Sequence, residues 1–238
     1  MKTGLRSHLR RRWVRRSAAA AAMLVVVAVF HWPILRSVAG FLITPPPTGP
    51  ADYLVLLPGV ATQSTGLDQV AREYSSGNVH GIVLFTLPAT RGVSNGIWPD
   101  LATSVRAELA RRGVPPSSIV VLPTPSRTGW EAADTLHDWL KDRPDTRLIV
   151  MVREFHGRCD RRVFDLVLGG RRLAGLQFET VRGGIDETNW WHSREGIQLV
   201  FQNYVALMFD WWNGPSKPCK KPWTLEDFEK SLPAPTES

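Results

Sequence analysis

Five short apolar runs punctuate the chain: "DYLVLL" (52–57), "GIVLFT" (81–86), "SIVVL" (118–122), "RLIVMV" (147–152) and "LQFETV" (176–181). Each is too short for a helix and is followed by a loop, so each predicts a strand. Between them the period changes. "PDLATSVRAELARRG" places Leu101, Val105 and Leu109 on one stripe, with Gly113 as the stop. "GWEAADTLHDWLK" does the same with Trp130, Leu136 and Leu140, and a third stripe of Val163, Phe164, Val167 and Leu168 predicts a helix from about Cys159 to Leu168. A polar, helix-like stretch runs to Gly77, and "SREGIQLVFQNYVALMFDWW" (193–212) predicts a long final helix. Strands that are apolar throughout and alternate with helices belong in a sheet covered on both faces. The expected fold is therefore α/β: a Rossmann-like, mostly parallel sheet of about five strands over residues 52–213, with right-handed crossovers.

The amino-terminal pattern differs. "SAAAAAMLVVVAVFHWPILRSVAGFLIT" is apolar on every face apart from His31, Arg36 and a few small polar residues. Ala18 to Trp32 alone is short for a bilayer, which takes about 20 residues, so residues 18–43 together are expected to form a transmembrane helix. Arg36 then snorkels to the far interface. A cleaved signal peptide ending near Ala39, or an amphipathic tail, are the alternatives. Residues 1–17 form a basic tail, "TPPPTGP" (44–50) a stiff spacer, and 214–238 a Pro-rich, loosely ordered end.

Charge sharpens this picture. The 238 residues carry a formal +7, but eight cations precede Asp52, the first acidic residue, so the rest of the chain sums to −1. A phosphate-tracking surface and a nucleic-acid partner are not expected. Cations ahead of the apolar segment place the amino terminus inside and the domain outside the cytoplasmic membrane. The two cysteines, Cys159 and Cys219, would be able to pair there or remain thiols. No CxxC spacing or His/Cys cluster calls for a metal, and no P-loop, GxGxxG or GxSxG calls for a nucleotide or a serine nucleophile. No cofactor is expected.

Ligands of open α/β sheets bind at the carboxyl ends of the strands. Four loops lie there: "PGVATQSTG" (58–66), "LPATRGVSNG" (87–96), "PTPSRTGWE" (123–131) and "REFHGR" (153–158). Thr128 and Glu131 have the spacing of a capping box. The competing reading has Arg127, Thr128 and the helix amides present donors to an anion. Arg158 falls in a first helical turn, where a cation is unfavourable by about 0.3–1 kcal/mol unless an anion compensates. Asp160 and Glu154 supply that anion, or a ligand does. His156 is either an acid/base or a locally satisfied loop histidine, and Arg161 and Arg162 read as a solvated face. Trp190 and Trp191 form a stacking wall or core beside His192 and Glu195, and Asp186 and Glu187 are a possible carboxylate pair.

"DYLVLLPG", "SRTGWEA" and "VREFHGRCDRRVF", in this order, resemble the opening strand and turn, the Thr-x-x-Asn/Glu-Ala helix start and the strand–His–x–Arg–Arg–helix segment of the YdcF/SanA/ElyC family. The resemblance spans about Asp52 to Trp212 and matches Thr128, Glu131, His156 and Arg158. The glycine cluster after the first strand is reduced to Gly59, "TLPAT" replaces a Ser-Gly-Gly turn, and Cys159 and Asn203 stand where an arginine and a glutamate are expected. It implies a Rossmann-like fold and, for anchored members, a role in envelope-polymer or peptidoglycan homeostasis. A soluble relative is associated with S-adenosylmethionine, a cofactor rarely met outside the cytoplasm.

The combined expectation is a membrane-anchored envelope protein that binds an anionic, phosphorylated glycan or lipid-linked precursor through Gly59, Arg127, Thr128 and Arg158. If it is catalytic, His156 is the acid/base and Glu131 its partner. A scaffold for a protein partner, through the aromatic final helix, and an intracellular nucleotide- or S-adenosylmethionine-binding enzyme are the competing expectations.

Overall fold

A computed structural model describes residues 31–169 and 175–213. The basic tail, residues 18–30 of the expected span, Cys219 and the carboxyl-terminal tail lie outside the described residues.

Five parallel strands form one sheet: β1 (Ala51–Leu56), β2 (Val79–Phe85), β3 (Ile119–Leu122), β4 (Leu148–Val152) and β5 (Leu176–Thr180), in the spatial order β3-β2-β1-β4-β5. Val55 of β1 pairs with Val83 on one side and Val150 on the other, and Val150 pairs in turn with Phe178. Alternate residues feed opposite faces. Leu54, Leu56, Ile82, Leu84, Ile149 and Met151 face one apolar layer, filled from α3 (Ser64–Ser75) and α5 (Leu101–Arg111). Val55, Val83, Phe85, Val150 and Phe178 face the other, filled from α6 (Gly129–Trp139) and α7 (Gly157–Leu168). Both faces are covered, which is why the strands read as apolar throughout rather than alternating.

The structure adds two short helices, α2 (Pro58–Ala61) and α4 (Arg91–Ser94), in loops after β1 and β2. It also starts α7 two residues earlier than expected, at Gly157.

A third apolar cluster stands apart from the sheet. Residues 31–42 are helical (α1), and Ala39 and Leu42 are buried against Phe155, Trp190 and Val200 of α8 (Arg194–Asn213). Thus the carboxyl-terminal part of the expected span packs on the domain. Tyr204 Oη donates to the Val38 carbonyl at 2.7 Å and Trp190 Nε1 to the Leu35 carbonyl at 3.0 Å. Among the described residues no helix is long and apolar enough to cross a membrane. The Pro-rich segment that follows lies against β5, where Thr48 N donates to Gln177 Oε1 at 2.6 Å.

Candidate functional site

The strand order contains one reversal. The chain steps from β1 to β2 and β3 on one side, then crosses back to place β4 on the other side of β1. Loops leaving β1 and β4 therefore diverge, and the crevice between them is where open α/β sheets take ligands.

Two segments meet at this point. After β1 the chain turns into α2 at Pro58, and a Cβ on Gly59 would sit 3.2 Å from Arg153 Nε. Glycine here leaves room for the Arg153 side chain to cross the turn. After β4, Arg153 is exposed, and Phe155 is buried with φ 59. A bulky residue in the left-handed region carries strain of about 1–3 kcal/mol. It persists because the Phe155 ring anchors the third apolar cluster while the backbone must turn at once into α7.

His156 occupies the N-cap of α7 without capping it. Arg153 Nη2 lies 2.7 Å from His156 Nε2, and His156 Nδ1 lies 3.0 Å from the Glu154 carbonyl. A guanidinium only donates and a carbonyl only accepts, so Nδ1 carries the proton, Nε2 accepts, and the ring is neutral. Burial lowers the His156 pKa, the Glu154 carbonyl opposes this, and Arg153 lowers it further. Asn203 closes the far side: its Nδ2 donates to the Leu199 carbonyl at 2.8 Å, and its Oδ1 lies 3.7 Å from Cys159 Sγ. Burial pushes the Cys159 thiol up to about 12, which removes it as a nucleophile at neutral pH.

Asp160, one turn into α7, sits against the start of α6, where a Cβ on Gly129 would be 3.2 Å from its Oδ1. Burial pushes its carboxyl up to about 7, against the pull of Arg153. An exposed guanidinium, a neutral imidazole and a carboxyl poised near neutrality thus adjoin one crevice. Together they are able to hold an oxyanion and to move a proton beside it.

Compared with protein-family models, curated proteins and solved structures, the chain matches none. The site is therefore read from its own residues.

Several expected site residues are committed elsewhere. Thr128 and Glu131 form a complete capping box. Glu131 Oε2 accepts from Arg127 N at 2.6 Å and Thr128 N at 3.1 Å, and Thr128 Oγ1 accepts from Glu131 N at 3.3 Å. Glu131 is thus not the partner of His156, whose ring nitrogens meet Arg153, Glu154 and Asn203. Arg127 is exposed and contributes its backbone amide to the cap. Arg158 points to α1: its Nε donates to the Phe41 carbonyl and its guanidinium lies 3.9 Å from the Phe41 ring centre. The carbonyl and the ring supply the negative partner that its helix position demands.

Other candidates are also resolved. Arg162 donates to the Asp210 carbonyl at 3.2 Å, tying α7 to α8. Trp190 is core, and Trp191 packs edge-on against both Trp190 and Trp32, while His192 and Glu195 are exposed. Asp186 Oδ1 accepts from Thr188, while Glu187 faces Arg36 at 3.9 Å, so these carboxylates are not a pair. Among the described residues no group of three or more His, Cys, Asp or Glu is placed to hold a metal ion.

Of the residues expected to form the site, the structure sets Gly59 and His156 at the crevice, and it adds Arg153 and Asp160. Arg153 carried a usable signal, because it is the first residue beyond an apolar strand on the ligand-binding edge. Asp160 carried none beyond its place in the first turn.

Proposed function

We propose that the apolar amino-terminal run ahead of α1 holds the protein at the cytoplasmic membrane with its α/β domain outside, and that the domain binds the phosphate-bearing part of an envelope glycan or lipid-linked precursor in the β1/β4 crevice. The observation that carries the binding reading is Arg153: an exposed guanidinium laid over the Gly59 turn and hydrogen-bonded to a neutral His156 at the switch point. A guanidinium offers several donors to a phosphate and spends one on the imidazole. A phosphate that draws Arg153 toward itself frees His156 Nε2, which then becomes a base within the same crevice. The strain at Phe155 and the near-neutral Asp160 are of the kind found where a chain is shaped for a ligand rather than for stability. The anchor and the envelope setting draw on the apolar run, the charge asymmetry and the family resemblance.

The test is a titration of the full chain in lipid nanodiscs with a polyprenyl phosphate and with inorganic phosphate. Arg153→Ala is expected to weaken binding at least tenfold, and Arg127→Ala to leave it within a factor of two. Equal affinity in Arg153→Ala and the parent protein rejects the crevice as the phosphate site.

A second reading, a scaffold for a protein partner, is favoured by α8. Ile197, Phe201, Val205, Met208, Phe209 and Trp212 share its outward face at 47–83% exposure. An apolar stripe of this length on a helix surface is unusual without a cover. A reporter fused after Ser238 separates both readings from an intracellular enzyme, which requires that reporter to be active in the cytoplasm.

A further inference from the structure

Exposed apolar side chains are not spread evenly over the molecule. Among the described residues 13 large ones are exposed, and 10 of them stand on two helices: Trp32, Ile34 and Phe41 on α1, and seven from Ile197 to Trp212 on α8. The two helices present one surface. Phe41 stacks on Tyr204 of α8 with ring centres 6.1 Å apart, and Trp32 meets Trp191, just ahead of α8, edge-on at 6.0 Å. Pro33, Ile34, Phe41 and Tyr204 line one open hollow between them. Phe201 and Met208 lie one helical turn to either side of Tyr204, so the apolar stripe of α8 runs on directly from α1.

Charge is scarce on this surface. Between Glu195 and Asp210, α8 has no Asp, Glu, Lys or Arg, and residues 31–43 have only Arg36. Trp32, Trp211 and Trp212 add indoles, apolar rings with one N–H that suit a membrane–water boundary. The chain ahead of α1 decides which occupant fits. Residues 18–30 are 13 apolar residues that lead straight into α1. As a helix they would reach about 20 Å, against about 30 Å of bilayer hydrocarbon. α1 cannot lend its length to a crossing, because its Ala39 and Leu42 are buried against the domain. The run therefore gains depth only if the domain comes down to the lipid with it. Pro33, near the start of α1, has no N–H to bond the preceding turn, so α1 can lie at an angle to the run. A protein partner would account for α8 alone, but not for the exposed apolar side of α1 or for the short run.

We propose that the joint face of α1 and α8 is a lipid-docking surface, resting in the boundary of the bilayer with Phe201, Met208, Phe209 and Trp212 against the acyl chains. The proposal rests on the anchored reading of the apolar run and does not depend on the phosphate reading at Arg153. An interfacial helix buries its apolar side about 5–10 Å into the headgroup boundary. Cations at the edge of the face fit that depth. Arg36 and Arg158 are exposed, and the Arg158 guanidinium lies over Phe41, where long stems let both charges reach headgroup phosphates. α7, whose first turn adjoins the β1/β4 crevice, is bonded to both helices, through Arg158 to the Phe41 carbonyl and Arg162 to the Asp210 carbonyl. Docking would thus fix the crevice relative to the lipid surface, which suits a substrate whose phosphate lies among headgroups.

The experiment uses photocrosslinking of the full chain. Phe209→benzoylphenylalanine places a photoreactive ring on the face, and Trp98→benzoylphenylalanine, exposed on the loop after β2, is the control. Each chain is irradiated in vesicles of phosphatidylethanolamine and phosphatidylglycerol and in the membranes of the cells that make it, and the products are weighed. Lipid adducts are expected to be at least about fivefold more abundant at position 209 than at position 98. Adding Phe201→Glu and Trp212→Glu, both at exposed positions, is expected to remove most of that excess without lowering the melting temperature. Equal adducts at the two positions, an excess that survives both glutamates, or crosslinks at 209 mainly to a second copy or to another protein overturns the proposal. Sedimentation with the vesicles reads the anchor separately. A chain that stays in solution overturns the anchored reading and the docking with it, whereas one that sediments without the excess at 209 overturns the docking alone.

Discussion

Helices α6 and α7 begin side by side at the same edge of the sheet, yet their first turns are built on opposite principles. At α6, Thr128 and Glu131 satisfy each other and the backbone within four residues. The positive end of that helix meets the Glu131 carboxylate of its own chain. At α7 the N-cap side chain makes no capping bond, the preceding residue is left-handed, and the acid of the first turns is pushed toward neutrality by burial. One terminus is closed by its own sequence; the other, like that of α3, has no side-chain cap, and it differs from α3 in the left-handed residue and the buried acid beside it.

The largest test of this contrast falls on Phe155. Phe155→Ala is expected to lower unfolding stability by about 3–5 kcal/mol, measured in denaturant, because it deletes a fully buried ring. Phe155→Gly loses the same ring but tolerates a positive φ, so it should be more stable than Phe155→Ala by about 1 kcal/mol. The reverse order would show that the turn is not strained.

Asp160 comes next. Its folded pKa of about 7 lies above the ordinary value of 3.8, so between these values the folded state holds a proton that the unfolded state has released. The associated stability is present at acid pH and declines as pH rises toward 7, by at most about 1.4 kcal/mol per pH unit. Asp160→Asn should flatten that decline and melt at a higher temperature than the parent at pH 8. His156 acts in the opposite sense. Its lowered folded pKa adds stability as pH rises toward 6.5, equally in both proteins, so their difference isolates Asp160.

The smallest effect belongs to α6. Thr128→Ala is expected to cost about 1 kcal/mol as a lost cap and to leave phosphate affinity unchanged. A fall in affinity comparable to that of Arg153→Ala would erase the distinction between the two termini.

How far the site could be read from the chain follows the same divide. The Thr128–Glu131 box is legible because both partners lie within one helical turn. Arg158 shows the limit. Its position in a first turn signals a need for a negative partner, but the partner is the Phe41 carbonyl, 117 residues away, in a segment with no polar pattern to announce it. His156 stands out as a histidine at a strand mouth, whereas Arg153 beside it resembles any solvated arginine until the Gly59 turn is seen beneath its side chain. Thr44 is harder still: it belongs to a proline-rich stretch that reads as a spacer, and only the fold lays it against the start of α7.

The sequence alone determined the layered α/β architecture, the five strands and the self-capped helix, because periodicity and short-range spacing record the environment each residue prefers. Only the tertiary structure decided that β4 returns beside β1, that Arg153 meets Gly59 and His156, and that Arg158 meets Phe41. Burial preference is carried by a residue's own chemistry, whereas the identity of a distant partner depends on how the whole chain closes.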